Sequence, residues 1–325
     1  MAFDLLSIGD VAIDQYMRIN NADVLGSPED NNYKICLTFA SKIYVDEFES
    51  SLAGNSCNNV IAATKLGLKC QIYTEFGNDG NAELFIKEFK AQGIDTTYCI
   101  QNEGTPTNVH AIISYRDERT ILSYHEPQTY KVRNWPKPKW IYYTSMVENF
   151  DGFQASLVEY LKENPDIGIA FNPGTYHMKA GVDRLKNILH VSHVLFVNRE
   201  EAHKLVGEDT IENVHQKLHD LGPKLTIVTE GSKGSSAYDG HTLVAVGKYT
   251  DLRPVVDNTG AGDAHSSGVL AALHYKKDME TALKWGTINA ASVIRQVGAT
   301  HGQVNKAELE ELLKHNPSFE QDEIK

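Results

Sequence analysis

The stretch Val256-Asp-Asn-Thr-Gly-Ala-Gly-Asp-Ala264 holds the residues best suited to chemistry. It precedes an apolar-periodic segment containing Val269, Leu270 and Leu273, so Thr259 to Asp263 falls at a helix start. Small residues there leave backbone N–H groups free to face a ligand, and those donors plus the helix dipole make an anion site. Asp263 would hold a carboxylate within one turn of the bound anion. An alcohol placed between a carboxylate and a cradled γ-phosphate has the geometry that phosphoryl transfer demands. Asp263 is therefore expected to accept the proton, while the amides of Gly260, Ala261 and Gly262 stabilise charge on the transferred group. A Gly-rich turn before a helix is also a common tight connection, in which Asp263 would merely favour the dipole. Other segments have to decide.

Three segments do so. Ala53-Gly54-Asn55-Ser-Cys-Asn58 is a turn opening a helix, with amide side chains suited to hydroxyls. Asn198-Arg-Glu-Glu201 follows a strand directly, as does Thr229-Glu-Gly231-Ser-Lys-Gly234.

The elements that must position these groups read as an α/β chain. Trp140 to Thr144, Ile167 to Phe171, His193 to Val197 and Leu225 to Thr229 are short apolar runs that read as buried strands, and Asp4 to Ile8 and Cys70 to Phe76 fit the same layer. Several are followed by helical patterns, the mark of a parallel sheet covered on both faces. Asn55 to Leu66, ended by Gly67, has helix length and a C-terminal glycine. Two stretches instead alternate with period two. They are Lys34 to Phe39, and Val109 to Tyr115, which turns at Arg116 to Arg119 and resumes to Tyr124. A small antiparallel sheet acting as a lid is expected from roughly residues 11–52 and 104–127, with 1–10, 53–103 and 128–325 forming the large domain. The last ten residues carry no apolar periodicity and are expected to fray.

The 325 residues are 41% hydrophobic with a formal charge of −12, which disfavours a nonspecific grip on nucleic acid or anionic lipid. The first residues show neither a signal-peptide pattern nor a membrane-length apolar run, and the 4 cysteines have no metal or disulfide spacing. A cytoplasmic location is expected.

Asp257 to Asp263 is similar to the carboxyl-terminal signature of the ribokinase-like (PfkB) carbohydrate kinases, and Gly54-Asn55 through Asn58 to Gly67 resembles their amino-terminal signature. Gly9 with Asp14 looks like the family's opening strand, Gly77-Asn-Asp-Gly80 like its next turn, and Asn198 to Glu201 like its NxxE motif, all in the family's order. The resemblance implies a three-layer αβα domain with a mainly parallel sheet plus a small antiparallel β lid, and ATP-dependent phosphorylation of an alcohol. It implies Asp263 as base, Gly260 to Gly262 as anion hole, and Asp14, Gly54, Asn55 and Asn58 as substrate ligands. Asn198 and Glu201 would position Mg²⁺ through water. Thr229, Gly231 and Gly234 would form the nucleotide loop, Asn289 would contact adenine, and Asp257 would be a ligand for a monovalent cation such as K⁺. Ala53, Asn258 and His265 depart from the family pattern.

Glu148, just after the Trp140 strand, is a further candidate for touching substrate, and Asp10 either reaches the pocket or faces solvent. The pairs His190/His193 and His215/His219 have helical spacing for a metal but no obvious third ligand, and His215 and His219 read as exposed. The acceptor is a small sugar or a nucleoside, and a sugar-binding regulator without catalysis is a third reading. An exposed face on the lid strands could pair with a second copy, as edge strands tend to, giving a homodimer.

Overall fold

The structure, a computed structural model, describes residues 3–26, 33–116, 118–251, 253–315 and 319–320. The first half of the chain runs β1 (Leu5–Ile8), β2 (Ala12–Arg18), β3 (Asp23–Leu25), β4 (Lys34–Cys36), β5 (Glu47–Ala53), α1 (Asn55–Lys65), β6 (Cys70–Gly77), α2 (Gly80–Ala91), β7 (Asp95–Asn102), β8 (Val109–Tyr115), β9 (Glu118–Tyr124), β10 (Trp140–Tyr143) and α3 (Asp151–Glu163). It continues through β11 (Gly168–Phe171), α4 (Thr175–Ala180), α5 (Val182–Val191), β12 (Val194–Asn198), α6 (Arg199–Val206), α7 (Ile211–Asp220), β13 (Leu225–Thr229), β14 (Ser235–Tyr238) and β15 (Leu243–Val246). The remainder is β16 (Lys248–Tyr249), α8 (Ala261–His274), α9 (Met279–Val293), α10 (Lys306–His315) and β17 (Phe319–Glu320).

A 9-stranded sheet in the order β15-β14-β13-β12-β11-β10-β1-β6-β7 forms the middle layer. It is parallel from β13 to β7, with β14 and β15 added antiparallel at one edge. Its inner strands are apolar on both faces because each face is covered. Leu5, Tyr142 and Phe196 pack with α1, α2, α8 and α9, while Leu6, Ile141 and Tyr143 pack with α3, α5, α6 and α7. These are the three layers expected.

From β1 the chain winds outward through β6 and β7, then returns to β10 on the other side of β1. The carboxyl ends of β1 and β10 are thus a topological switch point, where a crevice opens and ligands bind in such sheets. The C-cap of α1 is followed by Gly67 at φ 92°, a conformation suited to glycine, as the sequence suggests.

The small sheet has the order β5-β2-β8-β9. Its β2·β5 and β8·β9 pairs are antiparallel, and its central β2·β8 pair is parallel. The hairpin closes more tightly than the Arg116 to Arg119 reading, since Tyr115 already pairs with Glu118 and Arg116 takes φ 53°. The alternating run from Lys34 forms a strand only to Cys36, paired with the three residues of β3. Beyond Cys36 it has no ladder partner, and a turn with Ala40 at φ 56° replaces the expected strand through Phe39. Within the carboxyl-terminal segment expected to fray, Phe319 and Glu320 instead pair with β16, and the Phe319 ring lies 5.8 Å from that of Tyr249. The rest of that segment lies outside the described residues. Among the described residues no helix is long and apolar enough to cross a membrane.

Candidate active site

Helix α8 starts where the sequence places it. Gly260 takes φ 79°, and a Cβ built on it would sit 2.5 Å from Ala299 Cβ, so only glycine fits this turn. Among the described residues neither the Gly260 nor the Gly262 N–H has an internal acceptor, and Ala261 N–H reaches Asn258 O only at 3.4 Å. The amides are therefore available to an anion.

Helix α1 brings the second half of the site. Asn55 and Asn58, three residues apart, share one face of α1. Asn55 Nδ2 donates to Asp263 Oδ1 at 3.0 Å and Asn58 Nδ2 to Oδ2 at 2.7 Å. Asn59 Nδ2 donates to Ser267 Oγ at 2.9 Å, fixing α1 against α8. Both asparagines, read from sequence as ligands of the substrate, thus hold the carboxylate in place. Asn55 is further oriented by Ser145 Oγ, which donates to its Oδ1 at 3.0 Å from the end of β10.

Asp263 is nearly buried, at 7% exposure. Burial pushes its pKa up to about 6, the two asparagine donors pull it down, and the Glu201 charge adds to the rise. A carboxyl in that range is a better base near neutral pH than an exposed one, and its burial in a cleft marks a functional position. Activity that needs the ionised form should fall as pH drops through about 6. Asn58→Ala, which removes a donor to the ionised form, should move this acid limb of kcat/KM upward. A limb near the usual carboxyl value of about 4, unmoved by Asn58→Ala, would show that Asp263 does not govern the rate.

A cleft of about 210 Å³ gathers Asn55, Asn198, Glu201, Thr229, Gly260, Ala261, Gly262 and Asp263. Asn198 and Glu201 form a reciprocal cap on α6. Asn198 Oδ1 accepts from Glu201 N at 2.8 Å, and Glu201 Oε2 accepts from Asn198 N at 2.9 Å. Among the described residues Glu201 Oε1 has no hydrogen bond, and Glu201 lines the cleft. A single free carboxylate oxygen suits Mg²⁺ held largely by water and phosphate, and no cluster of three or more metal-ligating side chains exists among the described residues. Thr229 ends β13, and Gly231 and Gly234 form the turn after it at φ 59° and 102°. There Glu230 N donates to Gly234 O at 2.9 Å.

Other placements differ from expectation. Gly54 acts by packing, because its Cβ would lie 2.7 Å from Asp10 O and Val11 Cα. Asn289 is wholly buried and donates to Ala264 O at 2.9 Å, so it clamps α9 to α8 and has no surface for adenine. Glu148 is exposed, lies outside the cleft, and its charge acts on Arg184. Asp10 neither faces solvent nor lines the cleft. It is buried, accepts from Tyr130 OH at 2.7 Å, and is pushed up to about 7 by burial and by Glu75. His215 is fully buried, its ring nitrogens 2.6 and 2.8 Å from Thr226 and Ser236 hydroxyls. It pins α7 to the sheet. His265 is likewise a packing residue, buried against Ser235 Oγ at 2.9 Å, with its pKa pushed down to about 4 by burial.

Asp257 is already occupied. Its Oδ2 accepts from Gly298 N at 3.0 Å and its Oδ1 from Thr259 N at 2.7 Å. The Arg119 guanidinium, from β9 of the small sheet, also donates to Oδ1 and to Thr259 Oγ1. Both carboxylate oxygens are used and the charge is paired, so Asp257 does not fit a monovalent cation in this arrangement. Arg119 is the residue the sequence reading missed. It lies 138 positions from Asp257, and nothing in its own strand, Glu118–Tyr124, which mixes polar and apolar residues, marks it out.

The model for the "pfkB family carbohydrate kinase" matches residues 22–307. An ATP-dependent 6-phosphofructokinase of Thermoanaerobacterium thermosaccharolyticum is 23% identical over 312 residues, covering 91% of this chain and 89% of its own. Among solved structures, the nucleoside kinase of Methanocaldococcus jannaschii superposes with a TM-score of 0.78 at 18% identity, over 97% of this chain and 100% of its own. Arabidopsis thaliana ribokinase, complexed with ribose and ATP, does so with a TM-score of 0.77 at 20% identity, over 97% and 99%.

Proposed function

The chain belongs to the pfkB family of carbohydrate kinases, phosphotransferases with a hydroxyl acceptor, and on that premise we propose that it transfers the γ-phosphate of ATP to a hydroxyl of a small sugar. The observation that carries this is the buried Asp263 carboxylate, held by Asn55 and Asn58 beside the open amides of Gly260 and Gly262. Asp263 receives the proton of the attacking hydroxyl. In a loose transition state that proton moves late, so holding the oxygen in line matters more than basicity. The Gly260 to Gly262 amides and the start of α8 stabilise charge on the transferred group. Thr229, Gly231 and Gly234 flank the donor nucleotide. Glu201 and Asn198 would hold Mg²⁺, and the ion would neutralise phosphate charge. Arg119 draws the small sheet over the cleft as a lid.

A nucleoside acceptor is favoured by one observation, the exposed rings of Phe39 and Tyr44 on the loop after β4, which could stack on a base. A panel of ribose, fructose, glucose, inosine, cytidine and adenosine, assayed for ADP formation with ATP and Mg²⁺, separates the readings. Turnover of a free sugar above all nucleosides supports the first reading and the reverse ranking the second. Binding without turnover of any member would favour a regulator that has lost catalysis.

Phe48, Leu122 and Tyr124 share the small-sheet face opposite Asp14 and His110, and all three are large and exposed. Such a face is buried most simply against a second copy. Phe48→Glu combined with Leu122→Glu should convert a sedimenting dimer into a monomer, and an unchanged sedimentation coefficient would refute this interface.

A further inference from the structure

The turn in front of α8 is held from two sides by one carboxylate. Asp257 accepts from Thr259 N, just before the anion hole, and from Gly298 N, on the loop whose Ala299 packs against Gly260. The two segments that set the backbone of Gly260 are thus tied together through Asp257. That carboxylate is buried, and a buried charge needs a partner of opposite sign. Its partner is Arg119, which comes not from the large domain but from β9, the outer strand of the small sheet.

A dissociable monovalent cation could do the same work only if oxygens were to spare. Asp257 Oδ1 already takes Thr259 N and Arg119, Oδ2 takes Gly298 N, and Thr259 Oγ1 accepts from Arg119. The neighbouring Ile294 carbonyl accepts from both Val256 N at 2.8 Å and Asp257 N at 3.2 Å. The oxygens around Asp257 are satisfied by the chain itself. A guanidinium suits this place because its planar fork can donate to a carboxylate and a hydroxyl at once, and it stays charged at every working pH. Unlike a free ion, it is tethered. Its charge reaches Asp257 only with the strand that carries it.

Resting on the kinase reading above, we propose that Arg119 is the built-in cation of this anion hole. It stands in for a dissociable monovalent ion, so turnover needs none. It also couples the hole to the lid, because the turn at Gly260 is fully held only while the small sheet lies over the cleft. Arg119 is a positioning residue that acts through Asp257 and Thr259.

The test uses the full chain with ATP, Mg²⁺ and the member of the acceptor panel turned over best, at equal ionic strength in K⁺, Na⁺ or tetramethylammonium. Wild-type kcat and melting temperature should be the same in all three. Arg119→Met, similar in length but uncharged, should lower kcat at least about ten-fold while the KM values change little, because a small shift of a positioning element is felt in the rate. Methylguanidinium should recover part of that loss and raise the melting temperature of the variant, where tetramethylammonium does neither. Arg119→Lys, which keeps the charge and loses the fork, should lie between the two. Wild-type turnover that rises several-fold in K⁺, an Arg119→Met variant that turns over like wild type, or a loss that methylguanidinium does not relieve would each overturn the proposal and leave the kinase reading intact. A wild-type chain that phosphorylates no member of the panel would overturn the kinase reading, and the melting temperatures would still decide whether Arg119 fills the place of a cation.

Discussion

Asp263→Asn should lower turnover by about 10² to 10⁴-fold, the range for losing a general base, with the KM values for ATP and acceptor changed only a few-fold. The isosteric amide keeps the shape of the cleft but cannot take a proton. It also meets two donors, Asn55 Nδ2 and Asn58 Nδ2, with one acceptor oxygen and one NH₂ group, so one of the two hydrogen bonds is lost. Because that conflict could disturb the site by itself, the discriminating readout is the pH profile. The residual rate of the variant should lack the acid limb near 6 seen for wild type. Turnover close to wild type, or a retained limb, would remove Asp263 from the reaction.

Gly260→Ala should cost nearly as much for a different reason. The position needs φ 79°, and the added methyl would lie 2.5 Å from Ala299 Cβ and 2.7 Å from its Cα. A non-glycine residue held in the left-handed region costs about 1–3 kcal/mol, and here the backbone must also shift away from Ala299. That shift carries the amides of the anion hole with it, and a displacement of about 1 Å in a positioning element can cost about 10²-fold in rate. Gly262→Ala is the control, since a methyl there meets nothing within 4 Å. Steady-state kinetics with thermal melts should show Gly260→Ala losing both stability and turnover, and Gly262→Ala keeping wild-type stability. Equal melting points for the two variants would contradict the role given to this turn.

The parallel strands were legible because a strand buried on both faces is mostly apolar, and Trp140–Tyr143 and Leu225–Thr229 match that reading closely. The start of α8 was legible because small residues followed by an apolar helix leave few alternatives. Features that depend on distant pairing were not. The β4 strand stops at Cys36 because no neighbour continues the ladder, which alternation alone cannot reveal. Asn55 and Asn58 have the chemistry of hydroxyl ligands, and only a contact with a residue more than 200 positions away shows that they hold the base. The same holds for Asp257, which can be read as a cation ligand until Arg119 crosses from the small sheet to occupy it. Asn289 and His215 show the converse. Polar side chains on helices suggest exposed or ligand-facing roles, yet Asn289 is used in a buried hydrogen bond between two helices of one layer and His215 in two between a helix and the sheet.

Phosphorus NMR of the wild-type chain incubated with ATP, Mg²⁺ and the panel of sugars and nucleosides tests the central claim most directly. The account predicts one new phosphomonoester resonance growing in step with ADP, with little inorganic phosphate released. ATP left intact with every alcohol, or consumed to ADP and inorganic phosphate with no ester formed, would contradict it.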